Sequence, residues 1–313
     1  LYYHYFHLPS HETMYRQYFP HLKQNFADVI HNFSLILLNQ HSSLSFARPY
    51  VPNMIEVGGL HLPLTNKPLP PEMLEFIENS PEGVIYFSMG SNIRSKDLPK
   101  DKLKIIMSTF AALPQRIMWK FENPNLPGKP DNVFISSWFP QPDILAHPKV
   151  ILFITHGGLL STMESLYYGK PMLGLPIFYD QHFNVMRAEK AGYGLGCNFK
   201  ALCKEEFGSK IKELLKNSSY SKVAQQKSDL YRDQKDSPLK TAIWWVEYVL
   251  RHPGAAHLQV VAKNLNFWQQ HSLDTVGVLV AVGVGILILL LGVVWRICCL
   301  LIGLTKRNKT KTD

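Results

Sequence analysis

Between Gly83 and Ala191, short runs of β-branched and aromatic residues alternate with segments of helical spacing, and this alternation constrains the fold more than any other feature. The run Gly83-Val-Ile-Tyr-Phe-Ser88 reads as a buried strand, and Lys100–Leu113 sets Leu103, Ile106, Met107 and Phe110 on one helical face. Arg116–Phe121 and Val133–Ser136 read as strands. They are followed by a strand at Val150–Thr155, a helix at Leu159–Tyr168, a strand at Met172–Pro176 and a helix at Gln181–Ala191. Alternation of this kind predicts a Rossmann-like α/β domain, a parallel sheet with helices on both faces. Ligands bind such sheets beyond the carboxyl ends of the strands, where loops feed helix N-termini. Three loops there are rich in small and polar residues, Ser88–Asn92, Thr155–Ser161 and Pro176–Gln181, and are expected to converge on one site.

The flanking chain divides by composition. Residues 1–60 carry short apolar strands such as Phe33–Leu38 and end at Ile55-Glu-Val-Gly-Gly59. Pro63, Pro68, Pro70 and Pro71 mark an extended stretch within a proline-rich linker at 61–82. The α/β domain is expected over 83–252, with further helices at Phe207–Leu215 and Pro238–Leu250, then a juxtamembrane segment at 253–274. The chain opens on Leu1 and no leader precedes it, which reads as a fragment or a product trimmed at its N-terminus.

Thr275–Trp295 runs 21 residues without a charge, bounded by Asp274 and Arg296. At about 1.5 Å per residue the run matches a hydrocarbon core of roughly 30 Å. Trp268 and Trp295 suit the two interfaces. A basic tail, 296–313, follows and is expected to face the cytosol, which leaves the globular part luminal, a single-pass type I arrangement. Lys309 and Lys311 stand fifth and third from the end, the spacing of a dilysine signal for retrieval to the endoplasmic reticulum. An ordinary basic stop-transfer flank is the other reading. Asn32-Phe-Ser and Asn217-Ser-Ser are then usable glycosylation sequons, whereas Asn308-Lys-Thr is cytosolic.

The formal net charge of +9 does not indicate a nucleic-acid partner. The basic tail supplies +4 of it, and the rest is spread without a Lys/Arg run or aromatic-basic interleaving. With 46% hydrophobic residues against 18% charged, the chain can bury a sizeable core. The four cysteines form no paired CxxC motifs, so a metal site is unsupported. Cys197 and Cys203 read as two free thiols or a disulfide; Cys298 and Cys299 are juxtamembrane.

Thr155-His-Gly-Gly-Leu-Leu-Ser161 carries the most chemistry. A strand ends there, glycines let backbone approach a ligand, and the unpaired first amides of a helix stabilise an anion such as a diphosphate. His156 offers a hydrogen bond or a positive charge, and Ser161 a hydroxyl. Taken alone, a Gly-Gly turn is only a turn and a lone His is usually a capping or core residue. Glu164 suits the two hydroxyls of a ribose, or is a solvated helix residue. Trp138 stacks on a base or enters the core. Asp180-Gln181 offers donors and acceptors to sugar hydroxyls, or Asp180 caps the next helix.

The joint spacing decides between these readings. Trp138-x-x-Gln141-x-x-x-Leu145-x-His147, then His156-Gly-Gly-x-x-Ser161-x-x-Glu164, Gly169-x-Pro171, Pro176 and Asp180-Gln181 resembles the 44-residue donor signature of the UDP-glycosyltransferase superfamily. That family includes plant secondary-metabolite glucosyltransferases and animal UDP-glucuronosyltransferases. The resemblance implies a GT-B-type fold, with 1–60 a remnant of the N-terminal acceptor domain and 83–252 the UDP-sugar donor domain. It implies that Trp138 stacks on uracil and Gln141 contacts the uridine. Glu164 would bind the ribose hydroxyls, and His156, Gly158 and Ser161 the phosphates. Asp180 and Gln181 would hold the transferred sugar, and Ser91, in Ser88-Met-Gly-Ser91, would approach the diphosphate. Leu160 stands where plant members usually have Asn, so only a backbone amide can serve there; the motif looks more like the insect branch.

Members are inverting enzymes in which a His held by an Asp deprotonates the acceptor hydroxyl. That His lies near the start of the N-terminal domain, and none of His4, His7, His11, His21, His31 and His41 is assigned the role, so the base is expected outside this chain. The resemblance implies UDP-glucose or UDP-glucuronate as co-substrate, a small lipophilic acceptor and no further cofactor or metal, with homo- or hetero-oligomers among the partners. Two other readings stand beside it, an inactive membrane form that sequesters active partners and a UDP-sugar epimerase.

Overall fold

The computed structural model describes residues 2–309. It comprises two compact units, Leu35–Gly254 and a second made of Leu1–Ser34 with Ala255–Asp313. In the larger unit, β1 (Ile36–Leu38) and β2 (Met54–Glu56) form a small parallel sheet, followed by α1 (Pro71–Glu78), β3 (Val84–Ser88), α2 (Lys100–Phe110) and β4 (Arg116–Lys120). Next come β5 (Val133–Ser136), α3 (Gln141–Ala146), β6 (Val150–Thr155), α4 (Leu159–Tyr167) and β7 (Met172–Gly174). The unit closes with α5 (Gln181–Ala191), β8 (Gly194–Gly196), α6 (Lys204–Lys216), α7 (Ser219–Arg232) and α8 (Pro238–Arg251).

Strands β3 to β8 make one six-stranded sheet in the order β5-β4-β3-β6-β7-β8, every pair parallel. This is the doubly wound order, and its direction of growth reverses between β3 and β6. Strand β3 is buried over its whole length because both faces are covered. Its side chains alternate: Ile85 and Phe87 pack with Trp119, Ile154, Phe110 of α2 and Phe207 of α6. Val84 and Tyr86 face the other way, onto Phe153, Ile77 of α1 and Ile144 of α3. A third cluster joins α4, α5 and α7 through Leu166, Val185, Ala188, Ala224 and Tyr231. At the top of the sheet Ser88 pairs with Thr155, so β3 and β6 end level and their loops leave side by side.

Several boundaries differ from the sequence reading. Helix α1 lies inside the stretch read as linker, and Ile77 is fully buried beneath the sheet. Pro70-Pro71 looks like a breaker in sequence, yet proline fits the first turn of a helix, where its missing N–H has no partner to lose. The apolar run from Phe33 forms a strand only at Ile36–Leu38, and that from Met172 only to Gly174. Helix α7 was hidden because it buries Ala224, Ser228 and Tyr231, a stripe of small and polar side chains with little apolar signal. Cys197 is buried, Cys203 exposed, and both are free thiols.

In the smaller unit, a helix at Leu8–Tyr18 is tied to the following turn by Arg16, which donates to Glu12, the carbonyl of Leu22 and Asn25. A single helix runs from Leu273 to Lys309. Its Leu273–Leu301 stretch is long and apolar enough to cross a membrane, with an 18-residue window of mean hydropathy 3.0; it contains the 275–295 run. Residues 310–313, with the second lysine of the dilysine spacing, lie outside the described residues.

Candidate functional site

The sheet order reverses between β3 and β6, and the crevice beyond the carboxyl ends of the strands at such a reversal is where doubly wound sheets take ligands. From Thr155 the chain turns through His156, Gly157 and Gly158 into α4. Gly157 has φ +80°, and a Cβ there would stand 2.5 Å from Cγ2 of Val185, so both conformation and space demand glycine. Gly158 is the N-cap of α4 and supplies no side-chain cap. The helix therefore presents first-turn amides and the positive end of its dipole to the crevice, a setting for an anion.

His156 is wedged between the two loops that meet there. A Cβ on Gly90 would fall 2.5 Å from its Cε1, and a Cβ on Gly158 2.5 Å from its Nε2. Burial pushes the imidazole pKa down to about 4, aided by the nearby Lys120 charge and opposed by Asp180. At neutral pH His156 is thus an uncharged hydrogen-bonding ring with Nδ1 3.3 Å from Thr155 Oγ1. Of the two roles open in sequence, the hydrogen bond is the one this environment supports. The charge felt by His156 on this side is that of Lys120 at the end of β4, only 13% exposed in its side chain. Its Nζ donates to the Gly90 carbonyl at 2.7 Å and lies 3.5 Å from Glu122. Sequence reasoning passed over Lys120, although a lysine at the carboxyl end of a strand next to the reversal was a signal.

Gln141, Ser161 and Glu164 come together on the other side of α4. Gln141 Nε2 donates to Glu164 Oε2 at 2.5 Å and lies 3.5 Å from Ser161 Oγ, while its Oε1 accepts from the Tyr86 hydroxyl at 3.1 Å. Glu164 is 8% exposed and so is no solvated helix residue. Trp138, by contrast, is 70% exposed: its indole is not in the core. The Ser136 hydroxyl donates to the Trp138 carbonyl at 2.9 Å and fixes the backbone that carries the ring.

In the loop before α5 the capping alternative for Asp180 is not realised. Asp180 occupies the N-cap position but makes no side-chain cap; it accepts instead from Asn184 Nδ2 at 2.8 Å. Asn184 also donates to the Gly157 carbonyl at 3.0 Å, binding this loop to the glycine turn, a role not visible in sequence. Gln181 is buried, and its Oε1 accepts from the amides of Ile177 and Phe178 at 2.9 and 3.1 Å. Its carbonyl is therefore committed to the loop, and only its amide NH2 is left for a ligand. Ser91 is exposed, one residue past Gly90, whose φ of +80° turns the loop outward.

The family model described as UDP-glucoronosyl and UDP-glucosyl transferase matches residues 1–308. The chain belongs to this family. UDP-glycosyltransferase UGT5 of Dactylopius coccus is 39% identical over 283 residues, covering 90% of this chain and 54% of that protein. UDP-glucuronosyltransferase 2B16 of Oryctolagus cuniculus is 40% identical over 261 residues, 82% of this chain and 49% of the rabbit protein. The chain thus spans about half the length of the curated relatives it matches. Among solved structures, spinosyn forosaminyltransferase SpnP superposes with a TM-score of 0.63 at 17% identity, over 76% of this chain and 61% of that one. A UDP-glucosyltransferase from Polygonum tinctorium, in complex with 3,4-dichloroaniline, gives 0.57 at 23% identity, over 70% and 54%. The α/β, GT-B-type fold expected from the sequence is the fold of this UDP-glycosyltransferase family member, and His156, Gly158, Ser161 and Glu164 lie just past the carboxyl end of β6.

Proposed function

We propose that residues 83–252 bind a UDP-sugar and that the protein is an inverting UDP-glycosyltransferase, conjugating glucose or glucuronic acid to hydroxyls of small lipophilic acceptors. The observation that carries this is one juxtaposition at the sheet reversal. An uncapped helix N-terminus with a fixed lysine beside it adjoins a buried, hydrogen-bonded Gln141–Glu164 pair. The first feature suits a diphosphate and the second a ribose. In this reading uracil stacks on exposed Trp138, and Gln141 contacts the uridine. Glu164 accepts from the ribose hydroxyls, and the Gly158–Ser161 turn, His156 and Ser91 meet the phosphates. Asp180, with the free NH2 of Gln181, holds the sugar.

Transfer breaks the bond between the anomeric carbon and the diphosphate oxygen while the acceptor oxygen attacks from the opposite face. Negative charge then grows on the departing UDP. The α4 amides and Lys120 are fixed before the reaction and oppose that charge without reorganisation. Neutral His156 contributes a hydrogen bond rather than a charge. None of these groups is poised as the base for the acceptor: His156 is hemmed in by Gly90 and Gly158. The base that takes the acceptor proton therefore lies outside this donor cluster.

The apolar helix followed by cations supports a single-pass anchor in the endoplasmic-reticulum membrane with the sheet domain luminal. The test is calorimetric titration of the detergent-solubilised 1–313 protein with UDP-glucose and with UDP-glucuronate, then incubation with lipophilic phenols while UDP release is followed. Binding of one or both donors is expected, with UDP release on adding a phenol as the sign of transfer. Absence of any binding contradicts the reading.

A further inference from the structure

Glu164 lies on the second turn of α4, and one side of its carboxylate is already held. Oε2 takes the Gln141 N–H at 2.5 Å, and Gln141 is in turn fixed by the Tyr86 hydroxyl rising from β3. The other oxygen, Oε1, faces His61, whose Nε2 is 3.4 Å away in a side chain 24% exposed. His61 arrives on the turn after β2, and that turn is locked. A Cβ on Gly58 would meet the Gln40 carbonyl carbon at 2.4 Å, and Gly59, at φ +91°, would place one 2.7 Å from the Tyr231 hydroxyl oxygen. The backbone leading to His61 is thus tightly packed.

We infer that His61 is a positioning residue for the donor site: it holds Glu164 Oε1 so that both carboxylate oxygens are aligned for the two ribose hydroxyls. This rests on the UDP-sugar reading of Glu164. A carboxylate gripped only by Gln141 can still turn about its terminal bond, and a turned carboxylate offers one oxygen to a vicinal diol instead of two. A second polar contact on Oε1, the imidazole at 3.4 Å, restrains that freedom. The consequence is a link between the segment just past the β1–β2 sheet and nucleotide affinity, although His61 stands far from the signature in sequence.

The test uses the 1–313 protein with His61→Ala, His61→Gln and Glu164→Ala, titrated with UDP and with 2′,3′-dideoxy-UDP, which lacks the diol. Loss of one polar contact to a charged group predicts about tenfold weaker UDP binding for His61→Ala. Affinity for dideoxy-UDP should be unchanged, and His61→Gln, which keeps a donor at similar reach, should recover most of the loss. Equal weakening of both nucleotides, or a lowered melting temperature that tracks the affinity in both His61 variants, makes the role structural and overturns the inference. UDP affinity that falls in Glu164→Ala but not in His61→Ala overturns it while leaving the donor reading intact. Unchanged UDP affinity in Glu164→Ala removes the ribose role of Glu164, and this inference with it.

Discussion

Replacing Gly158 with alanine isolates the packing of His156 from backbone strain. Gly158 has φ −61° and ψ 149°, an ordinary extended conformation that alanine adopts freely. The new Cβ would nevertheless stand 2.5 Å from Nε2 and 2.9 Å from Cε1 of His156. The ring cannot recoil, because Gly90 abuts it: a Cβ there would lie 2.5 Å from the same Cε1. Overpacking of this kind costs about 1–3 kcal/mol. In a unit of this size each kcal/mol moves the melting temperature by about 2–4 °C, so a fall of about 2–12 °C is expected. In a His156→Ala background the ring is gone, and Gly158→Ala should cost only the roughly 1 kcal/mol or less of exchanging Gly for Ala at an N-cap. Gly90→Ala behaves differently, since its φ of +80° adds about 1–2 kcal/mol of strain that persists without the ring. Thermal unfolding of the wild type, both single variants and the double variant, followed by circular dichroism without ligand, gives the coupling. An equal loss from Gly158→Ala in both backgrounds would refute the wedge.

Other outcomes follow from the same site. With its pKa lowered from 6.5 to about 4 by burial, His156 is protonated in the unfolded chain but not in the folded one between those values. Stability should therefore be unaffected above about pH 6.5 and fall as pH drops toward 4. Melting curves of wild type should show a steeper decline across that window than His156→Asn; parallel declines would count against the buried neutral ring. Asp180→Ala should weaken UDP-sugar binding and leave UDP binding unchanged by calorimetry, and equal loss for both would remove Asp180 from the sugar subsite. Gln181→Ala leaves two loop amides without their acceptor and should cost about 1–3 kcal/mol in thermal unfolding; an unchanged melting temperature would contradict that account. Asn32 and Asn217 are both exposed. Expression in animal cells should give an endoglycosidase-sensitive mobility shift, abolished by Asn32→Gln with Asn217→Gln and unaffected by Asn308→Gln; the reverse pattern would invert the membrane orientation.

The sheet was legible because parallel strands buried on two faces need apolar residues at consecutive positions, as in Val84–Phe87, and the helices between them need helical spacing. The glycine turn at 157–158 was legible for the same local reason. Residues whose function depends on distant elements meeting were not. His61 reaches Glu164 across more than 100 residues, Tyr86 reaches Gln141 across 55, and Asn184 reaches Gly157 across 27. No spacing in the chain reports such meetings. Gln181 was legible as polar and near the site, but whether it faces a ligand or its own loop is settled by backbone amides that carry no sequence signature. Helix α7 escaped because a buried stripe of Ala, Ser and Tyr resembles a solvated one in composition.

The central claim is that the Trp138–Gln181 region recognises the nucleotide of a UDP-sugar, and titration of UDP into wild type, Trp138→Ala and Glu164→Ala tests it most directly. Trp138 is 70% exposed, so its removal should leave the melting temperature unchanged while deleting the stacking platform. Base–aromatic stacking of about 1–3 kcal/mol corresponds to UDP binding weaker by about 5- to 150-fold. Glu164→Ala should weaken UDP binding as well, through the ribose. Unchanged UDP affinity in both variants would contradict the account.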